Sequence, residues 1–520
     1  MRKFLLVALF LLLLCVPSRI SAEPVSSSTP VGTAAQHKIY STATTIKTIA
    51  GIASDIGATS IITADIYGTL SYGSATTITE NITLDLTHGM IDCNSVASAV
   101  IIRGAIVAPR MKQIFTNCPA NSIVFSQLAA PLIEAPVSWW GAKAGDGVDD
   151  TVAVQAAIKA STSGRTGPVV FPPGQFDISA ALTFSPKDYM VLQGANTGDT
   201  TLMGTSATGN VITMTGRNIR IEHLTIDGNA TRQGGATGHG IFGKEDLGGV
   251  QAFILLHDVV VTHQPQDGIN IDSPELNHYE NVDSHANGRY GINWVRTAPG
   301  RPFHNVVINT RVRSNINSGF LCDGCVGNTF INLEAWSNGG TAQVDLTGTD
   351  AWNNTFIDPD VENQAQALNQ AGNNIGIRLA GLGNHVIGGH ISALVTGISL
   401  VNCDGCVIEH PLCINSKFAD PGGFSMDACV KLDAVSSENS ILVDDTGTGI
   451  TASYSINASS FFNDLLIGGK RIPGSAPQAS LGTPANGTVA YCTDCTIANP
   501  CAGGGTGALA KRLNNTWICN

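Results

Sequence analysis

WWGAKAGDGVDDTVAVQAAIKASTSGRTGPVVFPPGQFDI, running from Trp139 to Ile178, carries a helix start, a helix break and two short strands in a row. Asp149, Asp150 and Thr151 stand where a helix should begin, because a short side-chain oxygen can accept from a free backbone N–H at a helix N-terminus. Val154, Ala157 and Ile158 follow at helical spacing, so a short amphipathic helix is expected from about 150 to 161. Gly164 and Gly167 then break it, Val169–Phe171 reads as a short strand, and Pro172-Pro173-Gly174 turns the chain into Phe176–Ile178. Asp146, Asp149 and Asp150 are therefore assigned to turns and the helix cap rather than to chemistry. Strand follows strand after this helix, with no second convincing helix, which is how a β-solenoid is started and sealed.

Downstream the chain repeats itself loosely. A small residue, an aliphatic, a polar residue and another aliphatic recur in DGINID (267–272), YGINWV (290–295), SGFLCD (318–323), IGIRLA (375–380), TGISLV (396–401) and ACVKLD (428–433). Ile241, Ile269, Ile292, Phe320, Val344, Ile377, Ile398 and Val430 form one column, and words such as IEHLTID (221–227) and HYENVDS (278–284) form a second upstream of it. Two or three strands per turn at such a period is the pattern of a parallel β-helix, in which stacked aliphatics make the core and alternate side chains face out.

The words GAKAGDGVDDTVAVQAAI and VVFPPGQFDI also resemble the opening segment of pectate-lyase-superfamily right-handed parallel β-helices, a group with rhamnogalacturonase-like and epimerase-like enzymes and phage tailspikes. The resemblance implies an all-β fold: a right-handed parallel β-helix (solenoid) with a short N-terminal capping helix. It does not name a reaction, because lyases, hydrolases, epimerases and non-catalytic fibres share the motif. Polygalacturonase-type hydrolases carry NTD, DD and GHG words in that order. Here Gly238-His239-Gly240 precedes Asn270-Ile271-Asp272 and no Asp-Asp pair follows in place, so those catalytic roles are not carried over. The calcium-binding aspartates of pectate lyases are not recognisable either, and no cofactor is expected. Tailspike-like ancestry would allow a homotrimer, although no heptads support one.

Residues 1–22 read as a signal peptide: Arg2 and Lys3 precede an apolar run from Phe4 to Val16, and Ser21-Ala22 offers a cleavage site. The run is too short to span a bilayer, and the remaining chain is expected to be secreted, with no membrane partner. Residues 23–45 read as a flexible leader, 46–135 as an N-terminal β-rich solenoid or cap region, 136–468 as the β-helix, and 469–520 as a linker and small Cys-rich module. Acids outnumber bases 40 to 28, a net charge of −12. That argues against nucleic acid as a partner. It leans mildly against a strongly anionic polysaccharide, unless a local arginine cluster overrides it.

Of 13 cysteines, Cys15 would leave with the signal peptide, and the even remainder in an oxidising compartment favours disulfides. Cys93 with Cys118 is one candidate pair. Two CDGCV words, at Cys322–Val326 and Cys403–Val407, should each close an Asp-Gly turn or pair with a neighbour such as Cys413 or Cys429. Cys492, Cys495, Cys501 and Cys519 lack the second CxxC of a zinc ribbon and read as a disulfide-stapled terminal knot.

Ionisable residues concentrate between 223 and 313: Asp227, His239, Glu245, Asp246, His257, Asp258, His263, Asp267, Asp272, His278, Asp283, His285, Arg289, Arg311 and Arg313. With Ile269 and Ile271 pointing inward, Asp267, Asn270 and Asp272 do not, and His239 and Tyr290 share the Asp267 column. Asp227, His263, His285 and Arg313 line up in the other column. Such an outward groove suits a sugar chain. A glycoside hydrolase needs two carboxyl groups, for which Asp267 with Asp272 or Asp227 are the candidates. A lyase needs a base such as His263 or His285 and a cation such as Arg289, Arg313 or a bound metal to hold a uronic carboxylate. His239, Asn270, Arg289, Tyr290, Asn293 and Arg313 are expected to bind substrate, with Tyr290, Trp294 and Trp336 as stacking platforms. The expected function is cleavage of polysaccharide by hydrolysis or β-elimination. The competing reading is a non-catalytic carbohydrate-binding or tailspike-like surface protein.

Overall fold

The computed structural model describes residues 36–519 except 96–98, 127–133, 162–166, 185–189, 207, 216, 230–236, 245–250, 298–299, 364–374, 393, 415–425, 427, 434–435, 444–451, 457–463, 468–469, 473–474, 477–488 and 493. The expected signal peptide and the Glu245-Asp246 pair lie outside the described residues. No helix among the described residues is long and apolar enough to cross a membrane.

The chain is a right-handed parallel β-helix. Its N-terminal stack pairs Gln36–Ser41, Ile62–Ser71 and Ile82–Asp92 in parallel. Alternation along Ile82–Asp92 sends Ile82, Leu84 and Leu86 into the core and their neighbours out. Within the span expected to be a leader, Gln36–Ser41 is thus a strand, anchored by buried Tyr40, whose hydroxyl donates to Asp55 at 2.7 Å.

The expectation of a single helix is corrected. Helix α1, Ile49–Ile56, buries Ile49, Ile52 and Ile56 on one face, and the Thr48 hydroxyl accepts from Gly51 N–H at 3.0 Å. Its three isoleucines read as strand residues, but their spacing is helical. Helix α2, Thr151–Ala160, is the helix anticipated near 150–161. Asp150 stands at its N-cap position without capping it. Its carboxylate accepts from Lys143 N–H (2.8 Å) and Asp177 N–H (3.2 Å), tying this rung to the next. Asp149 takes the local role, accepting from Thr151 N–H at 3.0 Å. Burial pushes the Asp150 carboxyl up to about 6, against the pull of the two backbone donors.

From there three parallel walls run the length of the solenoid. The first holds Met190–Gln193, Val306–Ile308 and their successors, and the second Thr200–Gly204, Arg311–Arg313, Glu334–Trp336 and Asp360–Glu362. The third is an eleven-stranded sheet from Leu182–Phe184 to Ala452–Ile456. Ile241, Ile269, Ile292, Phe320, Val344, Ile377, Ile398 and Val430 are successive register partners on this third wall, as their spacing indicated.

Strands Ile219–Asp227, Leu255–Thr262 and His278–His285 run through walls one and two, bending at His223 (φ 57°), Asp258 (φ 50°) and Asn281 (φ 54°). Asn309, Asn332 and Asp358 continue this left-handed corner. His, Asp and Asn tolerate that conformation better than most residues, so the corner selects polar side chains in a row. Inside, buried asparagines satisfy the turns before wall one. The Asn328 Oδ1 accepts from Asn305 N–H, that of Asn354 from Asn328 N–H, and that of Asn384 from Asn354 N–H, at 2.8–3.1 Å.

Cys93–Cys118, Cys322–Cys325, Cys403–Cys406 and Cys413–Cys429 are disulfides, so each CDGCV word closes its own turn. The terminal module has a separate small core held by Cys492–Cys495 and Cys501–Cys519.

Candidate functional site

The residues singled out in sequence occupy two walls rather than one groove. On the third wall, Asp267 lies just ahead of the strand Ile269–Asp272, in register with His239 on the rung before and Tyr290 on the rung after. It is fully buried. Arg289 grips both its oxygens, with Nε at 2.6 Å from Oδ1 and Nη2 on Oδ2. Asn270 Nδ2 (2.6 Å), Asn293 Nδ2 (3.0 Å) and the Tyr290 backbone N–H (3.2 Å) also donate to it, and His239 Nδ1 stands 3.3 Å from Oδ2. Burial alone would favour the neutral acid. The donors, led by Arg289 and His239, outweigh it and hold the carboxyl well below the usual carboxylate range. Asp267 is therefore an ionised hub, unsuited to the proton-donor half of a hydrolytic pair.

Asn270 and Asn293 point away from the core yet are only 6% and 4% exposed, so polar groups on this wall are sheltered. Asp272 is two residues further along the strand, roughly 7 Å on, and accepts from Ser273 Oγ at 3.1 Å. The outward column continues through Leu321, Asp345, Arg378, Ser399 and Lys431, with Arg378 bound to Asp345 at 2.6 and 2.9 Å. Six rung steps at about 4.8 Å make a polar strip roughly 29 Å long, parallel to the solenoid axis. Asp345 and Arg378 escaped the sequence reading because they pair across a gap of 33 residues. His239 lies flat on Phe242, ring centroids 5.4 Å apart.

The second wall carries the other set. Asp227, Thr262, His285 and Arg313 are register partners, so His263 falls one residue beyond the column, at a left-handed corner with φ 52°. It still reaches Asp227, 3.3 Å away. His285 Nδ1 lies 3.0 Å from Asp283 Oδ1, and Arg313 Nη2 donates to Asp283 Oδ2 at 2.8 Å. Arg313 covers the Trp336 ring at 5.4 Å. Alongside, at the corner of walls one and two, a groove of about 580 Å³ is lined by Asn281, Asp283, Asn309, Arg311, Glu334 and Asp360. Its lining is drawn one or two residues per rung, which hides it in a linear reading. Trp294 is corrected as a stacking platform: it is fully buried, in the inward column between Ile271 and Cys322.

The family model for rhamnogalacturonase A/epimerase, pectate-lyase-like proteins matches residues 137–219, the segment that carries α2 and the Pro-Pro-Gly turn. The matched segment is pectate-lyase-like, and the fold is a parallel β-helix. All the candidate site residues lie beyond the matched segment. Mannuronan C5-epimerase AlgE6 of Azotobacter vinelandii is 30% identical over 192 residues, 29% of this chain and 22% of that protein's length. Among solved structures, the AlgE4 A-module of Azotobacter vinelandii aligns over 63% of this chain and 99% of its own at 17% identity and a TM-score of 0.45. PfbA, a surface adhesin of Streptococcus pneumoniae, aligns over 75% and 98% at 10% identity and 0.48.

Proposed function

We propose that this protein acts on a uronate-containing polysaccharide bound along the third wall, by removing the proton beside the sugar carboxylate. His239 is the base. Its Nδ1 lies 3.3 Å from the Asp267 carboxylate and 3.3 Å from the Asp267 backbone N–H, which together fix the ring; in the tautomer whose Nδ1–H is directed at the carboxylate, Nε2 is free to take a proton. Arg289 spends Nε and one Nη2 bond on Asp267, and its remaining N–H groups are available to the substrate carboxylate, whose enolate form they stabilise. Asn270, Asn293, Asp272 and Tyr290 hold the sugar. The proton goes from C5 to His239. Breakage of the C4–O bond, with His239 passing its proton to the departing oxygen, then gives elimination; protonation of the opposite face of C5 by water, with His239 releasing its proton to solvent, gives epimerisation.

The observation that carries this reading is the ionised, five-donor environment of Asp267, which supplies an oriented imidazole and no proton-donating carboxyl. The epimerase named in the similar relative uses a uronate polymer, which accords with it. A second base exists on the second wall, where Asp283 orients His285 beside Arg313. The full chain, incubated with uronate-containing and neutral polysaccharides, should yield ultraviolet-absorbing unsaturated ends or inverted C5 centres on the uronates only. His239→Gln should lower the rate at least ~100-fold, the usual scale of acid–base catalysis, with folding intact by circular dichroism. Loss in His285→Ala with His239→Gln unaffected would move the chemistry to the second wall. New reducing ends without unsaturation would indicate hydrolysis, and no product from any polymer would leave a binding protein.

A further inference from the structure

A second cluster sits at the corner of walls one and two, away from the third-wall strip. His223 and Asp258 are register partners on successive rungs, both held left-handed, and His257 precedes Asp258. His223 Nδ1 lies 3.2 Å from Asp258 Oδ2, and His257 Nε2 lies 3.3 Å from the same oxygen. One ligand atom from each residue falls within 4.8 Å of the other two. On the far side of the ring, His257 Nδ1 is 3.3 Å from Glu280 Oε2. Asn281 Nδ2 donates to Asp258 Oδ1 at 3.0 Å, leaving Oδ2 for the centre of the cluster.

We propose that His223 Nδ1, His257 Nε2 and Asp258 Oδ2 form a binding site for a divalent transition metal, zinc being the cation that this donor set fits. Two imidazoles and one carboxylate are borderline ligands suited to zinc, and three protein ligands leave a fourth position for water. Glu280 supplies the outer partner that metal-bound histidines use to fix the tautomer: with Nδ1–H directed at the carboxylate, Nε2 presents its lone pair. The scaffold is rigid in the required sense. Sheet register sets the spacing of the rungs, and the left-handed corner turns both His223 and Asp258 outward, where all three ligands remain about one-third exposed and open to an incoming ion. The metal ties two rungs together across a corner and does not depend on the reaction assigned to the third wall.

The test uses the full, oxidised chain stripped with a chelator, titrated with zinc by calorimetry and with cobalt(II) by visible absorption. One equivalent should bind, with cobalt bands of a four-coordinate nitrogen–oxygen site. His223→Gln and His257→Gln should each weaken binding at least tenfold. Glu280→Gln, which touches no metal, should weaken it about 10–100-fold, the scale for outer partners of metal-bound histidine. His390→Gln removes the histidine of the separate Asp360–Glu362–His390 cluster and should leave it unchanged. Circular dichroism identifies any variant that fails to fold, and zinc-dependent thermal protection of the wild type gives a second readout. Absence of micromolar binding, a site that survives both histidine substitutions, or one lost in His390→Gln would overturn the proposal.

Discussion

Replacing Arg289 with alanine isolates the interaction on which the third-wall site is built. Asp267 is completely buried and Arg289 holds both its oxygens, so the substitution strands a charge in the protein interior. Breaking a buried pair from one side costs about 3–5 kcal/mol. The Arg289 side chain is 39% exposed, so water can enter where it stood, and Asn270, Asn293 and the Tyr290 N–H still donate. Both facts place the loss near the lower end, about 3 kcal/mol. Urea unfolding at neutral pH measures it. The same loss should shrink in Arg289→Ala/Asp267→Asn, because the second change removes the stranded charge. It should also shrink with acid. The folded carboxyl of the wild type lies below its ordinary value, so its contribution is complete above about pH 4 and fades as the pH falls toward the depressed folded value. In Arg289→Ala that contribution is already gone, and the two curves converge. A deficit below about 1 kcal/mol, or one indifferent to both Asp267→Asn and pH, would refute the account of Asp267 as an ion-paired hub.

Three further outcomes follow from the scaffold. Asn328→Ala removes the acceptor for Asn305 N–H and Nδ2 in the buried ladder and should cost about 1–3 kcal/mol in urea unfolding, whereas Asn332→Ala, at an exposed corner, should cost far less. Asp150, its carboxyl raised to about 6, makes stability fall as the pH rises from about 4 to about 6 because the folded state holds its proton longer. That slope in the thermal midpoint should flatten in Asp150→Asn. Paired Cys501→Ser and Cys519→Ser, opening a loop of sequence separation 18, should destabilise the terminal module by about 3 kcal/mol, followed through Trp517 fluorescence, while the main solenoid melts unchanged.

The fold was legible where one physical demand repeats. Aliphatics from Ile241 to Val430 must meet their own kind on each neighbouring rung, so their spacing alone recovers the register of the third wall. Helix α1 was missed because isoleucine is a strand former by propensity, and burial of a single face overrode that preference. The site was legible in composition and not in placement. The sequence shows that His239, Asp267 and Tyr290 share a column, but not that Arg289, 22 residues after Asp267, closes on it and fixes its ionisation. Nor could linear order separate two walls joined by a corner of four residues, from His263 to Gln266, which is why His285 and Asp267 appeared to share a groove. The His257–Glu280 contact, by contrast, joins direct register partners on adjacent rungs.

In the proposed reaction a proton leaves C5 of a uronosyl residue at the third wall. Incubating an oligouronate with the protein in heavy water and following C5 by nuclear magnetic resonance tests this step. C5–H should be lost, through an olefinic product or deuterium in its place, with the wild-type chain and not with His239→Gln. Chain shortening with every C5–H retained would contradict it.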